Sequence, residues 1–266
     1  MICIIEYLPT TITGDKLVIP GTVERDGKTY TVVGIVGTAW NENTFKNVTG
    51  VANSSVEVVI PNTVTELHDY VFAYAKWLNK VTFADGSQLK KVYSQVFQGT
   101  NITEVTFPDS LEYFGDNVFN GAGSLKNIYL GANFKTIEKL SFNSVPKTLT
   151  IHIPAAAPML TNEKSTVKDA REAISDKLSV YGDYNGVKYE QIKGTENVSA
   201  ISITNFDEAT RKETYWPIGQ KERTDGIEPE SKEDFVFEIP SKVTLANNAE
   251  YTVTKVEGYK YPGDTN

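Results

Sequence analysis

The sequence predicts a β-rich repeat solenoid, and three observations support that fold class. A unit of about two dozen residues recurs between Val56 and Pro154. Apolar positions keep the same spacing inside every unit. The strand-like cores end 23 or 24 residues apart, at Ile60, Phe83, Phe107, Leu130 and Ile153. Periods this short are typical of arrays in which each unit stacks on its neighbours.

A modified unit opens the array. Leu17–Pro20 is its strand, and Val32, Ile35 and Trp40 keep the internal spacing of the later units. Between them Arg25–Lys28 is a turn signal flanked by β-branched and aromatic residues, which predicts a hairpin. The end of a solenoid needs such a cap, because its core and strand edge would otherwise face water.

The later units share one apolar pattern. Each begins with an alternating strand that runs into a turn at Pro or a small residue, followed by two apolar positions three residues apart. Five residues further on lies a phenylalanine, at Phe72, Phe97, Phe119 and Phe142. The turn at residues 85–88 is two residues longer than the others, which is how an insertion behaves in a stacked array. Stacking should bury the phenylalanines in one column.

Strand alternation divides the residues of each strand between two faces. The residues expected to face the core are Val58, Val81, Val105, Ile128 and Ile151. The residues expected to face outward, and our candidate binding residues, are Glu57, Val59, Lys80, Thr82, Glu104, Thr106, Asn127, Tyr129, Thr150 and His152. They mix both charge signs with two rings, and curved repeat surfaces are used for binding. The alternative interpretation is an ordinary solvated sheet.

The repeats carry a family resemblance. Units of the form Leu-x-x-Val-x-Phe, Leu-x-x-Val and Val-Phe, as in Leu78–Phe97 and Leu125–Phe142, resemble the leucine-rich repeats of BspA-like bacterial surface proteins. The opening Ile-Pro followed by Gly27–Val32 is similar to the start of those arrays. The resemblance covers roughly residues 15–157 and implies a right-handed array, with a parallel β-sheet on the concave face and short turns or irregular segments on the convex face. It departs where the family often has cysteine, at Ala75, Thr100, Ala122 and Val145.

For function, the resemblance implies secretion or surface display and adhesion-type binding of host proteins or glycans. Families with this repeat are rarely enzymes. We therefore expect a non-enzymatic, extracellular or cell-surface recognition module of bacterial type. Two alternatives stay open: a structural spacer that projects other domains from the cell surface and, more distantly, a carbohydrate-active enzyme.

Composition limits the other classes of function. A formal charge of −8 argues against a nucleic-acid partner, because such surfaces concentrate Lys and Arg. The lone Cys3 excludes an internal disulfide and a cysteine-based metal site. His68, interpreted as a surface turn residue, and His152 lack the spaced partners of a zinc site. The acidic residues between 222 and 234 are interpreted as a solvated charge run. No cofactor or catalytic motif is predicted.

No apolar stretch is long enough to span a bilayer. Met1–Pro9 also lacks the basic segment and cleavage site of a signal peptide. If the protein is exported, we expect its signal to lie outside this sequence.

Beyond Pro154 the period fails, and three regions are expected: the capped solenoid at 1–157, a closing helix and hairpin at 158–195, and a small β-rich module at 196–266. The helix is predicted over Thr166–Leu178 from its apolar face. A hairpin should follow, and further strand alternation lies in Ile201–Ile203. The hairpin strands are Leu178–Tyr181 and Val187–Tyr189.

The last region repeats the pattern of the opening cap. Residues 237–256, like residues 17–35, contain an apolar strand ending in Ile-Pro, a turn, and a strand beginning Tyr-Thr-Val. This echo predicts a strand at Phe235–Ile239 and a hairpin turning at Ala246–Ala249. Either a second array begins here, which we favour, or the cap has been reused as a terminal module. The side chains expected to face inward are Val253 and Val256.

Overall fold

The computed structural model describes residues 2–5, 14–37, 56–138, 140–161, 174–184, 187–203 and 239–256. The chain divides into two compact units. The first comprises residues 1–153 and 157–178, and the second comprises residues 154–156 and 179–266.

The first unit contains short strands and a short helix, α1, at Pro158–Thr161. Its strands, in the described residues, are β1 Ile2–Ile5, β2 Lys16–Val18, β3 Thr22–Arg25, β4 Lys28–Ile35, β5 Val56–Ile60, β6 Glu66–Leu67, β7 Leu78–Phe83, β8 Lys91–Val92, β9 Glu104–Thr106, β10 Tyr113–Phe114, β11 Asn127–Tyr129, β12 Thr136–Ile137 and β13 Thr150–Pro154.

Successive repeats contribute one strand to each of two parallel sheets. The long-strand sheet has the order β2-β5-β7-β9-β11-β13. The short-strand sheet has the order β1-β4-β6-β8-β10-β12, with β3 antiparallel to β4. This architecture confirms the predicted solenoid with its parallel sheet. Where the sequence predicts only short turns, the two-residue strands form a second ladder.

The core lies between the two sheets. The inward-facing strand residues are at most 3% exposed, which confirms the predicted register: Val58, Val81, Val105, Ile128 and Ile151. The phenylalanine column is also confirmed. Its rings stack from Phe72 to Phe97 to Phe119 to Phe142, with centroids 5.8, 5.4 and 5.6 Å apart. Each repeat therefore buries its apolar face against the next one.

The predicted hairpin cap is present at the start of the array. β3 and β4 pair antiparallel up to Arg25 and Lys28. The two turn residues, Asp26 and Gly27, have φ values of 52° and 71°. Two positive φ angles define the tight hairpin turn that matches the twist of the strands. Val32 and Ile35 are fully buried, as expected, whereas Trp40 lies outside the described residues.

A left-handed residue follows the column phenylalanine by two positions in all four described repeats. Glycine adopts this conformation at little cost, but other L-residues are strained there by about 1–2 kcal/mol. The tight bend beside the column is therefore part of the repeat geometry even without glycine. The four residues, with φ between 53° and 69°, are Tyr74, Gly99, Gly121 and Ser144.

The second unit contains a sheet of order β17-β18-β16-β15-β14. Neighbouring strands are antiparallel except β16 and β18, which are parallel. The β14–β15 pair confirms the predicted hairpin, and β16 includes the predicted strand at Ile201–Ile203. The strand bounds are β14 Leu178–Tyr184, β15 Val187–Gln191, β16 Asn197–Ile203, β17 Lys242–Thr244 and β18 Glu250–Val256.

The predicted helix at Thr166–Leu178 is wrong at its C-terminal end. Residues 162–173 lie outside the described residues, but Ser175–Lys177 is a 3-10 turn and Leu178 begins β14. Tyr181–Tyr184 of β14 pairs with β15, and this pairing overrides the helical pattern.

The C-terminal echo is confirmed as a hairpin. Lys242 pairs with Thr252 in β17–β18, as Thr22 pairs with Thr31 in the first cap. Like β1 on β4, β16 pairs in parallel with β18, and the register shifts at the corresponding place. The predicted strand at Phe235–Ile239 lies mostly outside the described residues. That a second array begins here stays a prediction.

The prediction that Val253 and Val256 are buried like Val32 and Ile35 is wrong: Val256 is 46% exposed, and Val253 is half-buried. The counterpart of Val256, Ile35, is fully buried and pairs with Leu67 of β6. In the described residues no strand covers β18 in that way. The buried side chains of the hairpin are instead Val243, Leu245 and Tyr251.

Candidate functional site

The outward-facing residues of the long-strand sheet lie together on one face. One row follows the first outward position of each strand, and the other row lies two residues further along. All ten are half-buried or exposed, as the register predicts. Their role in binding stays a prediction. The rows are Glu57, Lys80, Glu104, Asn127 and Thr150, and Val59, Thr82, Thr106, Tyr129 and His152.

An ionic network occupies the β2–β5–β7 end of this face. The Glu57 carboxylate lies 3.6 Å from Lys16 Nζ and 3.3 Å from Lys80 Nζ. Thr82 Oγ1 also donates a 2.9 Å hydrogen bond to it. The Thr82 hydrogen bond and the two ammonium groups hold the pKa of Glu57 below its ordinary value.

The Glu57→Gln variant should lose stability in a pH-dependent way. A lowered pKa in the folded state stabilises the fold above the ordinary value of 4.5, and this contribution disappears as the pH falls through the folded-state pKa. We expect the wild type to exceed the variant by about 1 kcal/mol or less near neutral pH, because the network is partly exposed. The difference should vanish in acid. Urea unfolding from pH 3 to pH 7 measures it, with Glu24→Gln at an exposed hairpin position as control. A constant difference would contradict this prediction.

A polar and aromatic cluster occupies the β9–β11–β13 end of the same face. Asn127 Nδ2 donates a 3.4 Å hydrogen bond to Glu104 Oε2, and Asn127 Oδ1 lies 3.3 Å from His152 Nε2. The rings of Tyr129 and His152 stack with centroids 4.3 Å apart and planes within 10°. The cluster thus joins an aromatic pair to an amide and a carboxylate, groups suited to contact a polar partner with apolar parts.

A second aromatic ladder lies on the outer side of the short-strand sheet, and it was not predicted from the sequence. His68 stacks on Tyr93 with centroids 5.1 Å apart, and Tyr93 contacts Tyr113 at 6.0 Å. His68, interpreted from sequence as a surface turn residue, directly follows β6 and is half-buried by this stacking. The ladder could have been found from the residues that flank the buried core positions of the short strands.

Carboxylates bind the phenols of this second ladder. Tyr93 Oη donates a 3.4 Å hydrogen bond to Glu66, which also lies 3.6 Å from Lys91 Nζ. Tyr113 Oη donates a 3.3 Å hydrogen bond to Glu138. Burial, followed by the nearby Glu138 charge, raises the pKa of Tyr113 above its ordinary value. The Tyr113 phenol therefore stays neutral at physiological pH and acts as a hydrogen-bond donor.

Within the described residues, no group of three His, Cys, Asp or Glu side chains is placed to hold a metal ion. Across the same part of the chain, no helix has the length and apolar character needed to cross a bilayer. The crowded acidic residues between 222 and 234 lie outside this part.

Comparison with solved structures finds similar bacterial proteins, and the chain spans about half the length of each. The pneumococcal vaccine antigen PcpA is 18% identical with a TM-score of 0.43, over 71% of this chain and 46% of that one. A leucine-rich repeat protein of T. pallidum is 23% identical with a TM-score of 0.41, over 53% and 58%. A leucine-rich cell surface protein of Faecalibacterium prausnitzii A2-165 is 19% identical with a TM-score of 0.34, over 71% and 54%.

Comparison with curated protein sequences finds no match. The family model of the BspA type leucine-rich repeat region, in contrast, matches residues 39–163 in six copies. This range contains β5 to β13, which form most of the two sheets, whereas β1 to β4 of the opening cap precede it. Residues 39–163 of this chain are therefore a BspA type leucine-rich repeat region.

Proposed function

We propose that this protein is a non-enzymatic recognition module, displayed outside the cell or on its surface, that binds host proteins or glycans through the outer face of its long-strand sheet. The observation that carries the proposal is the Tyr129–His152 pair with its polar neighbours. Aromatic side chains supply large contact areas at interfaces, and tyrosine is among the residues that most often dominate binding energy.

The arrangement of the face supports recognition more than catalysis. The Glu57 carboxylate already forms ion pairs with Lys16 and Lys80 and accepts a hydrogen bond from Thr82. These contacts hold it in the charged form. A general acid would instead need a raised pKa. The face displays fixed polar groups and stacked rings on rigid strands, which suits a preorganised binding surface.

The proposal is tested by incubating the whole chain with immobilised extracellular matrix proteins and with a glycan array. We expect saturable binding to at least one of them. Tyr129→Ala should weaken it at least tenfold, because the substitution removes one ring of the pair. Tyr113→Ala is the matched control, since it removes a half-buried tyrosine from the other sheet. Circular dichroism checks that both variants fold.

Two results would overturn this proposal. Absence of saturable binding to proteins and glycans would favour the structural spacer. Equal loss of binding in Tyr129→Ala and Tyr113→Ala would show that the outer face of the long-strand sheet is not the binding surface.

A further inference from the structure

The long-strand sheet opens at one junction, between β7 and β9. β5 and β7 align over five residue pairs, and β9 aligns with β11 over three, as β11 does with β13. β7 and β9 align at Lys80 and Glu104 alone. Beyond that pair no further residues of β7 and β9 are aligned, so the regular ladder ends one step into this junction.

A cleft lies at this opening. Its volume is about 520 Å³, and residues 79–87 and 103–108 line it. Phe83 is half-buried here. The residues that end the strand core in the other repeats are at most 3% exposed: Ile60, Phe107, Leu130 and Ile153. The cleft therefore gives access to an aromatic side chain that the regular repeat would bury.

The charged side chains at the mouth of the cleft turn away from each other. Lys80 and Glu104 are opposite in charge and paired in register, yet in the described part of the chain they form no ion pair. Lys80 Nζ lies 3.3 Å from Glu57 on β5, and Glu104 Oε2 accepts a 3.4 Å hydrogen bond from Asn127 on β11. The mouth thus has a positive side and a negative side.

The longer turn at residues 85–88 borders the cleft. It lies just after β7 and separates that strand from the next core position by two more residues than in the other repeats. Hydrogen bonds tie it to the turns on both sides. Asn62 Nδ2 donates to the Asp85 carbonyl at 3.3 Å, and Ser110 Oγ donates to the Ser87 carbonyl at 2.9 Å. These hydrogen bonds fix the position of the turn that borders the cleft.

We propose that this cleft binds a short extended peptide segment of a protein partner, an inference that rests on the proposed recognition function. A peptide carries one N–H donor and one C=O acceptor per residue, so its main chain can form hydrogen bonds along β7 and β9 beyond the Lys80–Glu104 pair. An apolar side chain of the peptide packs on Phe83. Acidic and basic side chains of the peptide meet Lys80 and Glu104.

The charged side chains at the mouth of the cleft favour a peptide over a neutral saccharide as its ligand. A neutral saccharide can satisfy main-chain groups with its hydroxyls and pack on an aromatic ring, but it has no charge to offer either side of the mouth. A peptide offers both signs. The volume also lies within the range of about 300–1,000 Å³ that is usual for ligand sites.

The experiment uses the whole chain and a library of N-acetylated, C-amidated heptapeptides. We expect peptides with both charge signs and an apolar residue to bind saturably. Thr106→Tyr should weaken this binding at least tenfold, because the ring occupies the cleft. The matched control Val59→Tyr lies at the equivalent position of β5 and should leave it unchanged. The neighbouring strand already carries Tyr129 at this position, so both variants should fold.

Hydrogen exchange provides the second measurement. The bound peptide should slow amide exchange in residues 79–87 and 103–108 and leave β13 unchanged. Three results would overturn the inference: no heptapeptide bound at millimolar concentration, equal binding by Thr106→Tyr and the wild type, or binding of saccharides alone. Tyr129→Ala separates the two proposals, because it should weaken binding to the matrix or glycan target and leave heptapeptide binding intact.

Discussion

Phe119→Ala should reduce the free energy of unfolding by about 3–5 kcal/mol, because truncation removes transfer energy and leaves a cavity between repeats. Phe119 is fully buried. It stacks on Phe97 and Phe142, with centroids at 5.4 and 5.6 Å, and meets the edge of Phe114 at 5.9 Å. The cavity would therefore border several repeats. Urea unfolding monitored by circular dichroism measures the loss.

Phe142→Ala is the matched control within the same column. Phe142 is 7% exposed and has a described column neighbour on one side. Its replacement should cost less than that of Phe119, because fewer contacts are lost. An unfolding midpoint unchanged in Phe119→Ala would contradict the role of the column in holding the repeats together.

Gly131→Ala should be the second most destabilising change, with a loss of about 3 kcal/mol, at the upper end of the usual cost of overpacking. A Cβ at Gly131 would lie 2.4 Å from Asp109 Cα and 2.7 Å from the Pro108 carbonyl oxygen. Neither backbone atom can rotate away. Asp109 Oδ1 accepts a 3.1 Å hydrogen bond from the Ala132 N–H, which keeps the two turns close.

Gly123→Ala is the control for this change, because a Cβ there would meet nothing within 4 Å. Its effect on the unfolding free energy should be small or stabilising, since alanine restricts the unfolded chain. Thermal unfolding of the two variants under the same conditions measures both effects. Equal midpoints would show that the turn at Gly131 can move away from its neighbour.

The solenoid and its register could be predicted because the core repeats in the sequence. Val81, Val105 and Ile128 occupy the same position in successive units, and a shift of one residue would have moved them all to the outer face. The ten outward positions followed directly from this register. Their contacts could not be predicted, because the pairing of Glu57 with Lys80 depends on side-chain conformations that spacing does not determine.

The short-strand sheet gave too little signal to be predicted. Each of its strands from β6 to β12 has two residues, and only one of them is buried. Alternation is recognisable only over about four to eight residues. The aromatic ladder of His68, Tyr93 and Tyr113 could have been found only by aligning the residues that flank the one buried position of each short strand.

The cleft could not be predicted from the sequence for a different reason. The longer turn at residues 85–88 is visible in the sequence, where it resembles an insertion that leaves the repeats undisturbed. Whether such an insertion separates β7 from β9 depends on the path of both turns in space. The exposure of Val256 was unpredictable in a similar way, because it depends on a neighbouring strand and not on the hairpin itself.

The parallel register also sets a length scale for whatever the protein binds. Neighbouring strands lie about 4.8 Å apart, so the row from Glu57 to Thr150 extends roughly 19 Å across five strands. That is the span of about six residues of extended peptide. Loss or duplication of one repeat would displace every contact beyond it by one strand spacing. A partner that contacts several strands must therefore present its groups at the same spacing as the strands. The number of repeats would then select partners by their length as well as by their chemistry.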